Sequence, residues 1–183
     1  MLVVLGGLPG TGKTTIARAM AARRFATYLR IDVIEQAMRS AGVLAGDVGP
    51  AGYVVGNALT VSNLANGQTV IVDCVNPVPE SRQGWRAAAT PARRPLIEVE
   101  IVCSDPIEHR RRVEGRVSDI DGLILPTWQS VLDREYSPWH EPRVVIDTAR
   151  LTPDEAVAII EGHMDACVRA SPTTAAGMRK TIV

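Results

Sequence analysis

The segment GLPGTGKT at residues 7–14 combines residue types whose spacing suits the binding of phosphate. It fits the pattern Gly, four residues, Gly-Lys-Ser/Thr, and it lies between an apolar run at residues 2–5 and a helical pattern at residues 14–23. Glycine reaches backbone dihedrals that other residues avoid, so the N–H groups of such a loop can converge on phosphate oxygens. The positive end of the following helix dipole points at the same anion. The segment therefore predicts a site for a nucleoside triphosphate.

Two side chains of this loop carry the groups that matter most for a triphosphate. Lys13 is one of two lysines in a chain whose Lys and Arg residues total 20, and its ammonium is a compact charge for the β- and γ-phosphates. The hydroxyl of Thr14 would bind Mg²⁺, so the implied ligand is ATP or GTP with magnesium. The chain lacks the string Asn-Lys-x-Asp that reads guanine, which favours ATP. The residues predicted to bind the nucleotide are Gly7, Leu8, Pro9, Gly10, Thr11, Gly12, Lys13, Thr14 and Thr15.

Two aspartates come directly after predicted strands. Asp32, in YLRIDVIE, is a candidate for the base that accepts the proton of a substrate hydroxyl, although Asp at a strand-to-helix junction is also a common helix N-cap. Asp73, in VIVDCVN, is a candidate to bind magnesium through water, because a carboxylate in an apolar run needs a cation or hydrogen bonds to offset its desolvation. Its alternative role is to cap a loop. Thr14 and Asp73 together form the predicted metal site.

Arginines in the string DPIEHRRRVEGR could stabilise charge on a phosphoryl group. Arg112 and Arg116 are four residues apart, so they would share one face of a helix that closes over the triphosphate. The alternative is a solvated basic face on which Glu108 pairs with Arg112. After the third predicted strand, Asn76 and Arg82 could face a substrate or serve as loop and surface residues.

Five apolar runs rich in branched residues alternate with helical patterns, which is typical of a parallel sheet. We predict strands at residues 2–5, 28–31, 69–74, 96–103 and 144–146. We predict helices at residues 13–24, 33–40, 52–66, 80–90, 106–115, 127–136 and 153–167. The expected fold class is α/β, a three-layer doubly wound domain with five parallel strands. In such sheets ligands bind beyond the carboxyl ends of the strands, where the loop and both aspartates should meet.

Length and composition predict one domain at residues 1–170, followed by a mobile tail at residues 171–183. A chain of 183 residues can bury its own core, and its formal net charge of zero argues against broad attraction to nucleic acid or acidic membranes. No apolar stretch reaches the length of a membrane span, and the first strand leaves no room for a cleaved signal, so we expect a cytoplasmic protein. The cysteines and histidines lack metal-ligand spacing.

These motifs together resemble the P-loop kinases of the zeta-toxin, chloramphenicol phosphotransferase and polynucleotide 5′-hydroxyl kinase group. The resemblance covers about residues 1–167 and rests on GLPGTGKT, IDVI, VDCVNPVPESR, and RVEGR followed by PTWQSVLDREY. It implies an adenylate-kinase-like P-loop NTPase fold with a short helical lid. It also implies that Asp32 is the catalytic base and that Arg112 and Arg116 are lid residues. With Lys13, these are the predicted catalytic residues.

The resemblance implies a magnesium-dependent enzyme that moves the γ-phosphoryl group of ATP to a hydroxyl. Polynucleotide kinases of this group usually carry an arginine three residues after the base, where this sequence has Glu35, and Arg39 stands at a different spacing. We therefore predict a small-molecule or nucleotide-like acceptor. The alternatives are a polynucleotide 5′-hydroxyl kinase and an ATP-binding regulatory protein that transfers no phosphate.

The acceptor loop is predicted at residues 41–57, which are rich in glycine. Four aromatic residues could stack on a ring of the acceptor or pack in the core, namely Tyr53, Trp85, Trp128 and Trp139. The adenine base is expected near residues 147–150, after the last strand.

Overall fold

Five short apolar segments form a parallel sheet in the computed structural model, which describes residues 1–42 and 48–170. The strands are β1 (Leu2–Gly6), β2 (Thr27–Arg30), β3 (Val70–Asp73), β4 (Leu96–Val102) and β5 (Val144–Asp147). Their order across the sheet is β2-β3-β1-β4-β5, and every pairing is parallel. The predicted fold class, a doubly wound α/β domain with five parallel strands, is confirmed.

Helices connect the strands and cover both faces of the sheet. Within the described residues they are α1 (Lys13–Arg24), α2 (Ile31–Ser40), α3 (Ala51–Ala65), α4 (Pro79–Ala89), α5 (Pro106–Glu114), α6 (Trp128–Leu132) and α7 (Pro153–Ala170). Asp105 caps α5 by accepting the N–H groups of Ile107 and Glu108. Thr152 and Glu155 exchange hydrogen bonds at the start of α7, as a capping box requires.

Alternating residues of the central strand β1 pack into two separate hydrophobic cores, one on each face of the sheet. Val3 and Leu5 pack with residues of α1 and α7 on one face of the sheet. Leu2 and Val4 pack with Leu64 of α3 and other apolar residues on the opposite face. Because both faces of β1 are fully buried, the strand reads as an unbroken apolar run in the sequence.

The carboxyl ends of β1, β2 and β3 meet at one edge of the sheet, where the phosphate-binding loop begins. The loop fits only without side chains at two of its glycines. A Cβ at Gly7 would lie 2.2 Å from the carbonyl oxygen of Ile101, and one at Gly10 would lie 2.5 Å from a methyl group of Val113. Both residues also have positive φ, so glycine is required on two counts.

Three element boundaries differ from the sequence prediction in ways that move functional residues. Strand β2 ends at Arg30 and α2 begins at once with Ile31, so Asp32 lies in the first turn of a helix. Helix α5 ends before Gly115, so Arg116 lies beyond it. Helix α6 ends at Leu132 rather than continuing to residue 136, because the next residues bond to other parts of the fold.

Two predictions fall partly or wholly on residues that lie outside the described ranges. The proposed mobile tail at residues 171–183 is one, and residues 43–47 of the predicted acceptor loop are the other. Among the helices that the structure describes, none has the length and apolar character needed to cross a membrane.

Candidate active site

A cavity of about 1000 Å³ opens at the carboxyl edge of the sheet, over the phosphate-binding loop. The loop and α1 form its floor, α2 lines one side, and the segment from Arg116 to Pro126 lies across it. The structure brings all the predicted catalytic and metal-binding residues to this cavity: Lys13, Thr14, Asp32, Asp73, Arg112 and Arg116. Of the predicted nucleotide-binding residues, Pro9, Gly10, Gly12, Lys13, Thr14 and Thr15 line it.

Lys13 is held inside the loop rather than extended into the cavity. Its ammonium donates a hydrogen bond to the carbonyl oxygen of Leu8 at 2.8 Å, and the residue is only 8% exposed. Burial lowers the pKa of Lys13, whereas the nearby carboxylates of Asp73 and Asp32 act to raise it. The lysine, the metal-site aspartate and the candidate base are therefore close enough to interact electrostatically.

The predicted metal residues lie against each other. The hydroxyl of Thr14 donates a 2.7 Å hydrogen bond to Oδ2 of Asp73, and Asp73 is 4% exposed. A hydroxyl and a carboxylate are the hard oxygen ligands that Mg²⁺ takes when phosphates and waters complete its shell. No cluster of three or more His, Cys, Asp or Glu side chains suited to a metal occurs in the described ranges. The pair thus fits magnesium bound together with a triphosphate.

Two residues of β2 that we did not predict hold Asp73 in place. The hydroxyl of Tyr28 donates to the same Oδ2 of Asp73 at 2.9 Å, and burial together with this carboxylate raises the pKa of Tyr28. Nε of Arg30 lies 3.8 Å from that oxygen, an ion-pair distance too long for a hydrogen bond. Asp73 therefore accepts from donors on two elements, α1 and β2.

Asp32 faces the cavity from the first turn of α2, and its side chain is 39% exposed. The N-cap position of α2 is Arg30, so the alternative role of Asp32 as the N-cap is wrong. Nη2 of Arg30 donates to Oδ2 of Asp32 at 3.4 Å. One oxygen is thus held weakly while the carboxylate keeps access to the cavity, as a base for an incoming hydroxyl would need.

Arg30 is a buried cation at the centre of three carboxylates. Its side chain is 1% exposed, and its Nη1 donates to both carboxylate oxygens of Asp119 at 2.9 and 3.0 Å. Burial lowers the pKa of Arg30, but the hydrogen bond to Asp119 and the charges of Asp32 and Asp73 outweigh it and raise the pKa overall. The same bond lowers the pKa of Asp119 to about 2. Arg18 of α1 also pairs with Asp119.

The two predicted lid arginines have different environments. Arg112 bonds to Glu108 at 2.7 Å, to the hydroxyl of Thr148 at 2.8 Å and to the carbonyl oxygen of Thr148 at 3.0 Å. The predicted alternative, a Glu108–Arg112 pair, is therefore present. Arg116 lines the cavity and, within the described residues, has no hydrogen bond or ion pair to a carboxylate. The prediction that both share one helical face is wrong, because the helix ends before Gly115.

Arg82 faces neither substrate nor solvent, contrary to both sequence predictions for it. It is 1% exposed and donates to the carbonyl oxygens of Asn76, Pro77, Ser137 and Pro138. Its guanidinium also lies 4.1 Å from the centre of the Trp139 ring. Arg82 thus joins the segment after β3 to the segment after α6.

Asn76 is also buried, with 0% exposure and a positive φ of 54°. Its backbone N–H donates to the hydroxyl of Tyr53 at 2.9 Å. Tyr53 also lines the cavity, so of the four predicted aromatic residues it is the one placed to contact an acceptor. Trp85 is fully buried in the core, and Trp128 packs edge-on against His109.

Residues after β5 connect helix α5 to the phosphate-binding loop. The hydroxyl of Thr148 donates to the carbonyl oxygen of Thr11 at 2.9 Å and accepts from Arg112. The buried His109 places Nε2 2.8 Å from the carbonyl oxygen of Pro9. Helix α5 therefore touches the loop directly and through residue 148, which lies within the segment 147–150 predicted to be near adenine.

The family comparison covers most of the chain. The model of the AAA domain family AAA_33 matches residues 2–130, which span the phosphate-binding loop, both aspartates and the lid segment. A protein of Aeropyrum pernix named "Probable adenylyl-sulfate kinase" is 25% identical over 185 residues, covering 92% of this chain and 94% of that protein.

Two further similarities extend this picture. An uncharacterised protein of Mycobacterium tuberculosis is 29% identical over 119 residues, and the match covers 58% of this chain but 24% of that longer protein. A gluconokinase structure from Sinorhizobium meliloti superposes with a TM-score of 0.61 at 21% identity, covering 91% of this chain and 93% of the other. At that identity the likeness shows the fold, which is the P-loop kinase fold.

Proposed function

We propose, from the premise that this chain belongs to the AAA_33 family of AAA domains, that it transfers the γ-phosphoryl group of ATP to a hydroxyl of a small molecule. One observation carries the proposal: Asp32 lines the same cavity as the phosphate-binding loop, Lys13 and Arg116. A protein that only bound a nucleotide would have no need of a base on the acceptor side. The Aeropyrum relative, by its name a kinase of a small molecule, supports the acceptor class.

The proposed reaction assigns one task to each side chain. The hydroxyl oxygen of the acceptor attacks the γ-phosphorus while its proton passes to the carboxylate of Asp32, and the bond from the γ-phosphorus to the bridging oxygen breaks to release ADP. Lys13 and the loop N–H groups hold the β- and γ-phosphates. Arg116, free of a carboxylate partner among the described residues, offsets charge that develops on the transferred group.

The metal that the reaction would use is magnesium, held by Thr14 and Asp73. When bound, it supplies positive charge that neutralises the phosphate oxygens. Asp73 is already oriented by Thr14 and Tyr28, so the side chains need little rearrangement to receive it. Lys13 stays anchored on the loop until phosphate oxygens replace its bond to the carbonyl of Leu8.

The first test is radiolabel transfer from ATP to a panel of hydroxyl compounds: sugars, hydroxy acids, nucleosides, adenylyl sulfate and oligonucleotide 5′ ends. We expect transfer to at least one small molecule. Asp32→Asn should slow it about a hundredfold or more while leaving the ATP dissociation constant within about threefold, because the base acts in the transition state. Lys13→Ala should abolish productive ATP binding in calorimetry.

The matched control is Asp133→Asn, the same change at an exposed carboxylate that does not line the cavity. It should leave both transfer and binding unchanged. Equal transfer rates in Asp32→Asn and the unsubstituted protein would remove Asp32 from the role of base. Transfer to oligonucleotide ends alone would replace the small-molecule acceptor with a polynucleotide.

A further inference from the structure

The segment between α5 and α6 crosses the cavity and has few other anchors. Arg116, Val117, Asp119 and the run from Gly122 to Pro126 line the cavity. Two of its apolar side chains lie largely in solvent, Val117 at 87% and Ile124 at 90% exposure, whereas Leu123 and Leu125 are half-buried. Asp119 lies in a tight turn. The hydroxyl of Ser118 accepts from the N–H of Ile120 and donates to the carbonyl oxygen of the same residue.

Asp119, at this turn, makes the ion pairs that connect the segment to the sheet edge. Both of its carboxylate oxygens accept from Nη1 of the buried Arg30, and Arg18 of α1 approaches one of them. The two arginines differ in burial, with side-chain exposures of 1% for Arg30 and 53% for Arg18. Hydrogen bonds between two charged groups, such as those from Arg30 to Asp119, are stronger than those between neutral groups.

The same guanidinium also faces the two carboxylates that the proposed reaction uses. Nη2 of Arg30 lies 3.4 Å from Asp32, and its Nε lies 3.8 Å from Asp73. Both distances are longer than those to Asp119, so Asp119 is the partner that fixes the orientation of the guanidinium. Without it, Arg30 would be free to turn toward either of the other two carboxylates.

We propose that Asp119 is a positioning residue: by pairing with Arg30 and Arg18 it holds residues 116–126 closed over the cavity and keeps Arg30 aligned between Asp32 and Asp73. Closure brings Arg116 to the phosphate side of the cavity and restricts escape of the bound nucleotide. The role of Arg30 beside Asp32 and Asp73 rests on the proposed function. The closure of residues 116–126 over the cavity does not depend on it.

The test compares Asp119→Asn with Asp121→Asn, the same change at an exposed aspartate two residues away in the same segment. Amide hydrogen exchange should speed up about fivefold or more at residues 116–126 in Asp119→Asn and stay unchanged in β1 and β3. Release of a fluorescent ATP analogue with magnesium should become about tenfold faster, because the loss of a hydrogen-bonded charge pair acts on dissociation. Asp121→Asn should match the unsubstituted protein in both measurements.

Three further measurements distinguish loss of the pairing of Asp119 with Arg30 and Arg18, which we call the latch, from a general loss of structure. Raising the ionic strength should speed nucleotide release more in the unsubstituted protein than in Asp119→Asn, since salt screens the pair of Asp119 with the exposed Arg18 in addition to the contacts of the nucleotide itself. Asp119→Glu, which keeps the charge, should recover most of the slow release. In a transfer assay, Asp119→Asn should lower kcat about tenfold with a smaller change in the KM of the acceptor.

The outcomes distinguish this inference from the proposed function. Unchanged exchange and unchanged release in Asp119→Asn would overturn the latch even where phosphoryl transfer is present. Faster exchange and faster release in Asp119→Asn, in a protein that phosphorylates no compound of the panel, would support the latch and overturn the proposed function.

Discussion

At the residue scale, the carboxylate of Asp73 is held by donors from two elements. A single oxygen, Oδ2, accepts hydrogen bonds from Thr14 and Tyr28, and Arg30 lies nearby. The other oxygen makes no bond to these donors. Tyr28 therefore contributes to the orientation of Asp73.

Tyr28→Phe should weaken magnesium binding, because it removes one of the donors that orient Asp73 while leaving the ring in place. We expect the magnesium concentration for half-maximal thermal stabilisation by an ATP analogue to rise about three- to tenfold, in the range usual for outer-shell partners of a metal site. Tyr136→Phe, which also removes a hydroxyl but lies near Glu100 away from the cavity, is the control. An unchanged magnesium requirement in Tyr28→Phe would mean that Thr14 alone orients the carboxylate.

The sequence located some of these residues and missed others for a physical reason. Lys13 and Asp32 follow strands of a parallel sheet, Asp73 is the last residue of one, and the topology alone brings strand ends together. Tyr28 lies within β2 and Arg30 is its last residue, and the direction of each side chain decides what it touches. An arginine at the end of an apolar strand, next to Ile31 and Asp32, was the one signal available for Arg30.

At the element scale, helix α5 and the segment after it behave as two different parts. The helix is docked on the phosphate-binding loop, through His109 on Pro9 and through Val113 against Gly10. Arg112 adds a link to Thr148. The segment after Gly115 carries Arg116 and is connected to the sheet edge through Asp119. Within the described residues, no hydrogen bond joins the segment after Gly115 to the phosphate-binding loop.

Substitutions in the two arginines should therefore have different effects. Arg116→Ala should lower kcat about a hundredfold with little change in ATP affinity or thermal stability, because its charge acts on the transferred group. Arg112→Ala should lower the melting temperature by several degrees, because it removes the links to Thr148 and Glu108. Thermal unfolding gives the melting temperature of each variant, and steady-state kinetics gives its kcat. Equal kinetic defects without a difference in melting temperature would contradict the division.

Boundary errors in the sequence prediction arise at this scale. The periodicity of residues 127–136 suits a helix, yet α6 ends at Leu132. Residues after the helix form hydrogen bonds with other elements: the hydroxyl of Tyr136 donates to Glu100, and the carbonyl oxygen of Ser137 accepts from Arg82. Local propensity could not reveal these contacts, because their partners lie far away in the sequence.

At the scale of the whole molecule, Arg82 joins distant parts of the chain. It ties the residues after β3 to the residues after α6 through four carbonyl oxygens, and it stacks on Trp139. Burial lowers the pKa of Arg82, and the nearby Tyr136, Glu100 and Glu141 act against that shift. Because these segments flank the cavity, their connection helps to set its shape.

Arg82→Ala should destabilise the protein by about 3 kcal/mol, since it leaves four carbonyl oxygens without their donor and removes a buried side chain from beside Trp139. The control is Arg110→Ala, an exposed arginine whose one ion pair among the described residues is with Glu114, and for which the expected change is below about 0.5 kcal/mol. Urea unfolding of both variants gives the free energies. A loss for Arg82→Ala no larger than the control would show that its carbonyl contacts contribute nothing net.

The sequence by itself determined the sheet, the phosphate-binding loop and the presence of Asp32 and Asp73 at its edge, because apolar periodicity and glycine spacing are local properties. Tertiary structure alone decided which charges far apart in the sequence meet. It brought Asp119 to Arg30, which are 89 positions apart in the chain. It also buried Arg82 between two segments whose carbonyl oxygens the guanidinium binds. Such pairings depend on side-chain direction and on the path of the chain between elements, and neither is encoded within a short segment.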